Sequence, residues 1–181
     1  LFRSKGKRPW GDIDPTVWIE EDGTPWMSWG NGNCYLAKLK PNLIELDGEI
    51  REIDVPNYVE GPWLYKRGKL YYLVYAAMVP PQGWEQIAYA TAENVTGPWT
   101  YRGLVTGSAK NSFTIHPGIV DFKGRSYFFY HNAALTIDGV PGALGRRAVC
   151  VEYLEYNPDG TIKPITQTDE GVSVPLDRAG R

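Results

Sequence analysis

The 181-residue chain has little of what several protein classes require. It contains two cysteines, Cys34 and Cys150, too few for a disulfide framework and without a metal-binding spacing. It has no run of about 18 apolar residues, so no membrane-spanning segment is predicted. Its formal net charge of −2 does not favour a nucleic-acid or anionic membrane partner.

Sustained helical periodicity is also missing, whereas aromatic residues, glycine and proline are abundant. Aromatic residues make up 13% of the chain, and there are 20 glycines and 14 prolines. This mixture favours short strands joined by tight turns over helices. The composition therefore predicts an all-β fold.

Three segments of the sequence resemble one another. Each has proline at its second position, then an apolar strand, a turn with glycine and a strand rich in aromatic residues. They are DPTVWIEEDGTPWMSWG (14–30), GPWLYKRGKLYYLVYA (61–76) and HPGIVDFKGRSYFFYH (116–131). The pattern predicts three β-hairpins that start near residues 14, 61 and 116.

More strands are predicted after each hairpin, from NCYLAKLKP, from EQIAYATAEN and GPWTYRG, and from RRAVCVEYLEYNPDGTI. Four short strands in every 40–50 residues or so are typical of a β-propeller blade. We therefore expect one domain over 1–181, a partial β-propeller with about three blades. A β-sandwich is the alternative, but it does not explain the regular proline-headed hairpins. Because an open ring exposes sheet edges, further blades or another chain should cover it.

Polar residues stand at or next to the start of each repeat. Asp14 and His116 directly precede a repeat proline, and Glu60 lies one residue further upstream, before Gly61. Because equivalent positions of successive blades face one central axis, these side chains should meet at one opening. The following proline should hold the residue before it in extended geometry. We expect Trp63, Trp84 and Trp10 near the same mouth.

Two carboxylates and an imidazole beside aromatic rings suggest glycoside hydrolysis, which uses a protonated carboxylic acid and a second carboxylate. Each residue also has a simpler explanation. Asp14 could form a turn, Glu60 could lie in a surface loop, and His116 could be a buried core histidine, as we expect for His131. The shared register of the first three favours function.

Four strings, in this order, resemble glycoside hydrolase family 43, most of all its xylan-acting arabinofuranohydrolases. They are GDIDPTVWIEEDGTPWMSWGN, YVEGPWLYKRGKLYYLVYA, HPGIVDFKGRSYFFYHNAAL and RRAVCVEYLEYNPDGTI. The resemblance implies a five-bladed β-propeller that hydrolyses arabinose- and xylose-containing plant polysaccharides with inversion. It implies an α-L-arabinofuranosidase or β-xylosidase, with xylan, arabinoxylan or an arabino-oligosaccharide as partner.

The resemblance also implies residue roles. Glu60 would be the general acid, kept protonated by burial and by Asp14, the residue that tunes its pKa. His116 would belong to the shell of a central calcium ion, in which oxygen ligands and water predominate. Arg147, with Arg146 as the alternative, would lie near the carboxylates and contact a sugar hydroxyl.

The sequence departs from the family pattern at two places. The family carries its general base, an aspartate, on the first blade, and no residue upstream of Asp14 stands at the expected separation. Asp12 lies only two residues from Asp14, so we expect the base to come from another chain, for instance in a homo-oligomer that closes the ring. Ile115 stands where relatives often have asparagine, next to the predicted metal residue.

Two non-enzymatic alternatives remain open. One is a carbohydrate-binding propeller fragment without turnover. The other is an inert structural fragment whose exposed sheet edge contacts a partner. The absent base is the sequence feature that separates both from an enzyme.

Overall fold

The computed structural model describes residues 10–172, which form eleven strands in three antiparallel sheets and no helix. Sheet I contains β1 (Thr16–Ile19), β2 (Pro25–Trp29), β3 (Cys34–Lys38) and β4 (Arg51–Ile53). Sheet II contains β5 (Tyr58–Arg67), β6 (Leu70–Ala77), β7 (Gln86–Ala92) and β8 (Thr100–Thr106). Sheet III contains β9 (Gly118–Phe122), β10 (Arg125–Asn132) and β11 (Ala148–Leu154). Within this range no helix is long and apolar enough to cross a membrane.

The three repeats are hairpins, as the sequence predicted. They form β1–β2, β5–β6 and β9–β10. Lys123 and Gly124 link the last pair with φ angles of 48° and 76°, the positive values that a tight two-residue hairpin turn requires. Gly68 turns the second hairpin with a φ of 59°. In every sheet the strands lie side by side in chain order.

Sheet II lies between the other two sheets. One of its faces packs Leu73 and Tyr75 with Leu36 of sheet I. The opposite face packs Val74 with Phe128 of sheet III. Because both faces are buried, the strands LYYLVYAA and QIAYATA are apolar almost throughout and do not alternate.

The outer faces of sheets I and III carry exposed apolar side chains. Val17 and Ile19 are exposed on β1, Val120 and Phe122 on β9, and Val149 on β11 is 80% exposed. Exposed apolar side chains at such sheet edges are candidates for contact with other protein. Most buried apolar side chains pack against sheet II, whereas a smaller cluster around Met27 and Trp29 is buried within sheet I.

The backbone before two of the repeat prolines differs from the expected extended geometry. Asp14 and Gly61 have φ angles of 56° and 59°, in the left-handed region. The expectation was wrong at these positions because tertiary contacts override the local bias of the following proline. Gly61 has no Cβ, and one placed there would lie 3.1 Å from the Cγ atom of His116. Aspartate tolerates this conformation better than most residues do.

Candidate active site

The three polar residues at the repeat starts meet at one place. Asp14 precedes β1, Glu60 lies near the start of β5, and His116 precedes β9. These are the first strands of the three sheets. Each residue contributes a ligand-type atom, and these atoms all lie within 4.8 Å of one another. The register of the repeats therefore predicted this meeting point correctly.

Glu60 is held by two side chains. Its Oε1 atom lies 2.8 Å from Nε2 of His116, and its Oε2 atom accepts a hydrogen bond of 2.5 Å from the side-chain amide of Asn31. The Glu60 side chain is 12% exposed. Glu60 is thus a nearly buried carboxylate and not a surface loop residue, and its two oxygens face defined partners.

The expectation that free Glu60 is kept protonated was wrong. The hydrogen bond with His116 is the main reason that the pKa of Glu60 is lowered, and burial only partly opposes it. Burial alone would lower the pKa of His116, but the hydrogen bond to Glu60 and the charge of Asp14 raise it. The two groups therefore titrate as a coupled pair in which the proton favours the imidazole.

Asp14 has the environment of a carboxyl that resists ionisation. Burial raises its pKa, the charge of His116 opposes this rise, and the charge of Glu60 adds to it. Its Oδ2 atom is buried without a hydrogen-bond partner and lies 4.0 Å from Nδ1 of His116. The negative charge of Glu60 therefore makes ionisation of Asp14 less favourable.

A second polar row lies beside this group. Arg147 donates a 2.9 Å hydrogen bond to the hydroxyl of Thr114, which lies 3.2 Å from Nε2 of His131. The His131 ring is 5.8 Å from the His116 ring. Burial and the charges of Arg147 and His116 lower the pKa of His131 to about 4, so this imidazole is neutral. Arg146 instead bonds the carbonyl of Pro141.

Another carboxylate, Glu85, lies behind the site. It is 5% exposed, and its Oε2 atom accepts a 3.0 Å hydrogen bond from the backbone N–H of Ile115. Burial raises its pKa to about 7, and the charge of Glu60 contributes to this rise. Glu85 was not predicted from the sequence, because a single glutamate in GWEQ carries no recognisable signal.

The predicted tryptophans have different surroundings. Trp84 is 45% exposed and directly precedes Glu85. Trp63 is half-buried and packs against the core between sheets II and III, near Gly118. Trp10 is 71% exposed. Trp84 and Trp10 thus have exposed rings, whereas the Trp63 ring is partly enclosed.

Comparison with known proteins identifies the family. The sequence profile of glycosyl hydrolases family 43 matches residues 2–162. The chain belongs to this family. It is 34% identical over 201 residues to a xylosidase/arabinosidase of Bacteroides ovatus, covering 87% of this chain and 58% of that protein. It is 29% identical over 168 residues to the beta-D-galactofuranosidase xynD of Aspergillus niger, covering 88% of this chain and 47% of that protein.

A solved family-43 structure has the same fold. It is an arabinoxylan arabinofuranohydrolase from Bacillus subtilis in complex with cellotetraose, with a TM-score of 0.74 and 26% identity. The match covers 90% of this chain and 38% of that protein. The chain spans about half the length of the curated relatives it matches.

The polar group of this family-43 chain offers part of a cation site. Calcium prefers about six to eight oxygen ligands. Asp14 and Glu60 supply carboxylate oxygens, and the buried Oδ2 atom of Asp14 has no hydrogen-bond partner of its own. Both nitrogens of His116 already face carboxylates, so His116 suits a minor place in such a shell.

Proposed function

We propose that this chain carries the acid half of a glycosidase active site acting on arabinose- and xylose-containing plant polysaccharides. The finer activity is an inverting α-L-arabinofuranosidase or β-xylosidase. The observation that carries the proposal is the meeting of Glu60, Asp14 and His116 at the first strands of three sheets in a family-43 chain. Relatives named for xylose and arabinose substrates support this substrate class.

Glu60 would donate the proton to the leaving glycosidic oxygen. In the free site it shares its proton with His116, so a bound sugar that excludes water must return the proton to the carboxyl. Loss of solvation would do this, since it disfavours the ionised carboxylate. Asp14 would tune the pKa of Glu60 through its charge.

The general base would come from outside this polar group. An inverting enzyme places its two carboxyl groups about 6.5–9.5 Å apart, with water between them. Asp12 is engaged with the indole N–H of Trp29 at 3.0 Å, which makes it a poor substitute. We propose that another chain or another part of a longer protein supplies the base. Without it, the rate should fall roughly 10²–10⁴-fold.

The three sheets would be about three blades of a five-bladed propeller. Their stacking on sheet II and their chain-order strands support this arrangement. The exposed apolar side chains on β1, β9 and β11 would pack against the remaining blades or against a second copy of the chain. A homo-oligomer that closes the ring is therefore one form of the proposal.

Arg147 and Trp84 would contact the sugar, Arg147 through a hydroxyl group and Trp84 through its ring face. Trp63, being half-buried, would support the site from behind. A calcium ion would sit near Asp14, with His116 as a minor ligand. Metal analysis of the purified protein tests this last assignment, and a protein that binds no calcium at millimolar concentration would exclude it.

The test compares the wild type with its Glu60→Gln variant, each as the 181-residue chain and within a longer protein that supplies the base. Hydrolysis of arabinoxylan, an aryl arabinofuranoside and an aryl xyloside is measured, with the molecular mass in solution recorded on the same samples. Turnover that the substitution abolishes supports the proposal. Binding of oligosaccharide without turnover in either protein would favour a carbohydrate-binding fragment, and neither binding nor turnover would favour a structural fragment.

A further inference from the structure

Glu85 is a buried acidic side chain, and the charges of His116 and Arg147 act on it without direct pairing. It lies in the loop between β6 and β7, directly before Gln86, and is 5% exposed. Within residues 10–172 it takes part in no salt bridge. Burial of such a group is unfavourable unless hydrogen bonds compensate for the lost water. The hydrogen bonds of Glu85 should therefore show what its burial stabilises.

Two hydrogen bonds of Glu85 hold the same short segment. Its side-chain Oε2 atom accepts the N–H of Ile115 at 3.0 Å, and its own backbone N–H donates to the carbonyl of Phe113 at 3.1 Å. This segment lies between β8 and β9 and has no strand ladder of its own. Since backbone polar groups inside a protein require partners, Glu85 replaces the missing ladder there.

The segment ends at His116, whose imidazole ring is closely packed between neighbouring groups. The imidazole reaches Glu60 at 2.8 Å on one side. On the other side Gly61 approaches so closely that a Cβ atom there would lie 3.1–3.3 Å from three ring atoms. A shift of the Ile115 backbone by a few tenths of an ångström would therefore weaken the contact between His116 and Glu60.

We propose that Glu85 is a positioning residue, which clamps the backbone of Ile115 so that His116 meets Glu60. Glu85 itself touches no reacting atom in this scheme. The consequence for turnover rests on the proposed glycosidase function, whereas the clamp itself does not. The clamp can therefore be tested in a protein that shows no activity.

The experiment uses NMR of the full chain with Glu85→Gln and Glu85→Met. The chain has only two histidines, so the imidazole signals of His116 can be assigned against those of His131. In Glu85→Met the acceptor is lost at similar volume, and hydrogen exchange of the Ile115 amide should accelerate about tenfold or more. The His116 signals should shift or split. Glu85→Gln keeps a hydrogen-bond acceptor, so the exchange rate of the Ile115 amide and the His116 signals should stay close to those of the wild type.

Glu152→Met is the matched control. Glu152 is also a buried carboxylate that accepts a backbone N–H, that of Thr168 at 2.7 Å, but it lies on β11 of sheet III. This variant should lose stability yet leave the Ile115 exchange and the His116 signals unchanged. Equal effects of Glu152→Met and Glu85→Met at His116 would overturn the proposal, because they would show general loosening.

Unchanged Ile115 exchange and His116 signals in Glu85→Met would also overturn it. If Glu85→Met does not fold, Glu85→Gln decides the matter. Replacing the carboxylate by an amide must move the Ile115 amide proton signal while His116 stays in place, and an unmoved Ile115 signal contradicts the clamp. Neither readout depends on turnover, so failure of the proposed glycosidase function would leave this result intact.

Discussion

Gly61→Ala tests the packing between β5 and His116. Gly61 has a φ of 59°, and an added Cβ would lie 3.1 Å from Cγ, 3.2 Å from Nδ1 and 3.3 Å from Cδ2 of His116. Gly68 has the same φ of 59° but no atom within 4 Å of an added Cβ. Gly68→Ala therefore reproduces the backbone strain without the contact, and is the control.

The expected losses of stability follow from two effects, the backbone strain and the contact of the added Cβ with His116. Alanine in the left-handed region costs about 1–2 kcal/mol at either position. At Gly61 the imidazole must also move, and loss of its hydrogen bond to the Glu60 carboxylate should cost about 1.5–3 kcal/mol more. Gly61→Ala should thus be less stable than Gly68→Ala by about that second amount.

Urea unfolding of both variants and of the wild type gives the difference in the free energy of unfolding. The imidazole signals of His116 should move in Gly61→Ala and not in Gly68→Ala. Equal losses of stability in the two variants, with His116 signals unchanged, would refute the reasoning that Gly61 makes room for a ring fixed against Glu60.

Three further predictions concern buried groups. The pKa of Glu85 is about 7 in the folded protein, compared with an ordinary value of 4.5. The protonated side chain therefore stabilises the fold below pH 4.5, and this stabilisation is lost as the pH rises to about 7. As the pH rises across this range, the unfolding free energy of the wild type should fall by roughly 3 kcal/mol relative to that of Glu85→Gln. Parallel pH profiles of the two proteins would contradict the assignment. Arg147→Met should raise the pKa of His131 from about 4 towards 6.5, measured by NMR titration, and an unchanged value would mean that burial alone lowers it. Leu73 is fully buried, and Leu73→Ala should lower the free energy of unfolding by about 2–5 kcal/mol. Val17 is exposed, and Val17→Ala should change it by less than about 0.5 kcal/mol. Similar losses in the two variants would contradict the central place of sheet II.

Much of the fold could be predicted because the repeats encode it locally. Proline, an apolar strand, a glycine turn and an aromatic strand specify a hairpin without reference to the rest of the chain. Strand β4 was missed, since Arg51–Ile53 is short, with two charged residues and no alternating pattern. Its pairing with β3 is set by tertiary packing, which no local pattern reports.

The sequence predicted that three residues of the candidate site meet, but not which of them carries the proton. Repeat register brought Asp14, Glu60 and His116 together. The pKa of Glu60 depends on a 2.8 Å contact with His116, and the sequence contains no information at that scale. Asn31 and Glu85 were missed for the same reason, because each acts through one hydrogen bond across a large sequence separation.

The most direct test of Glu60 as the proton donor compares two leaving groups. Glu60→Gln and the wild type, as this chain or as a longer protein that contains it, are assayed on a dinitrophenyl glycoside and on an arabinoxylo-oligosaccharide. A dinitrophenolate leaves without protonation, so the account predicts a small loss of rate there and a loss of roughly 10²–10⁴-fold on the oligosaccharide. Equal losses on both substrates, or no loss on the oligosaccharide, would contradict it.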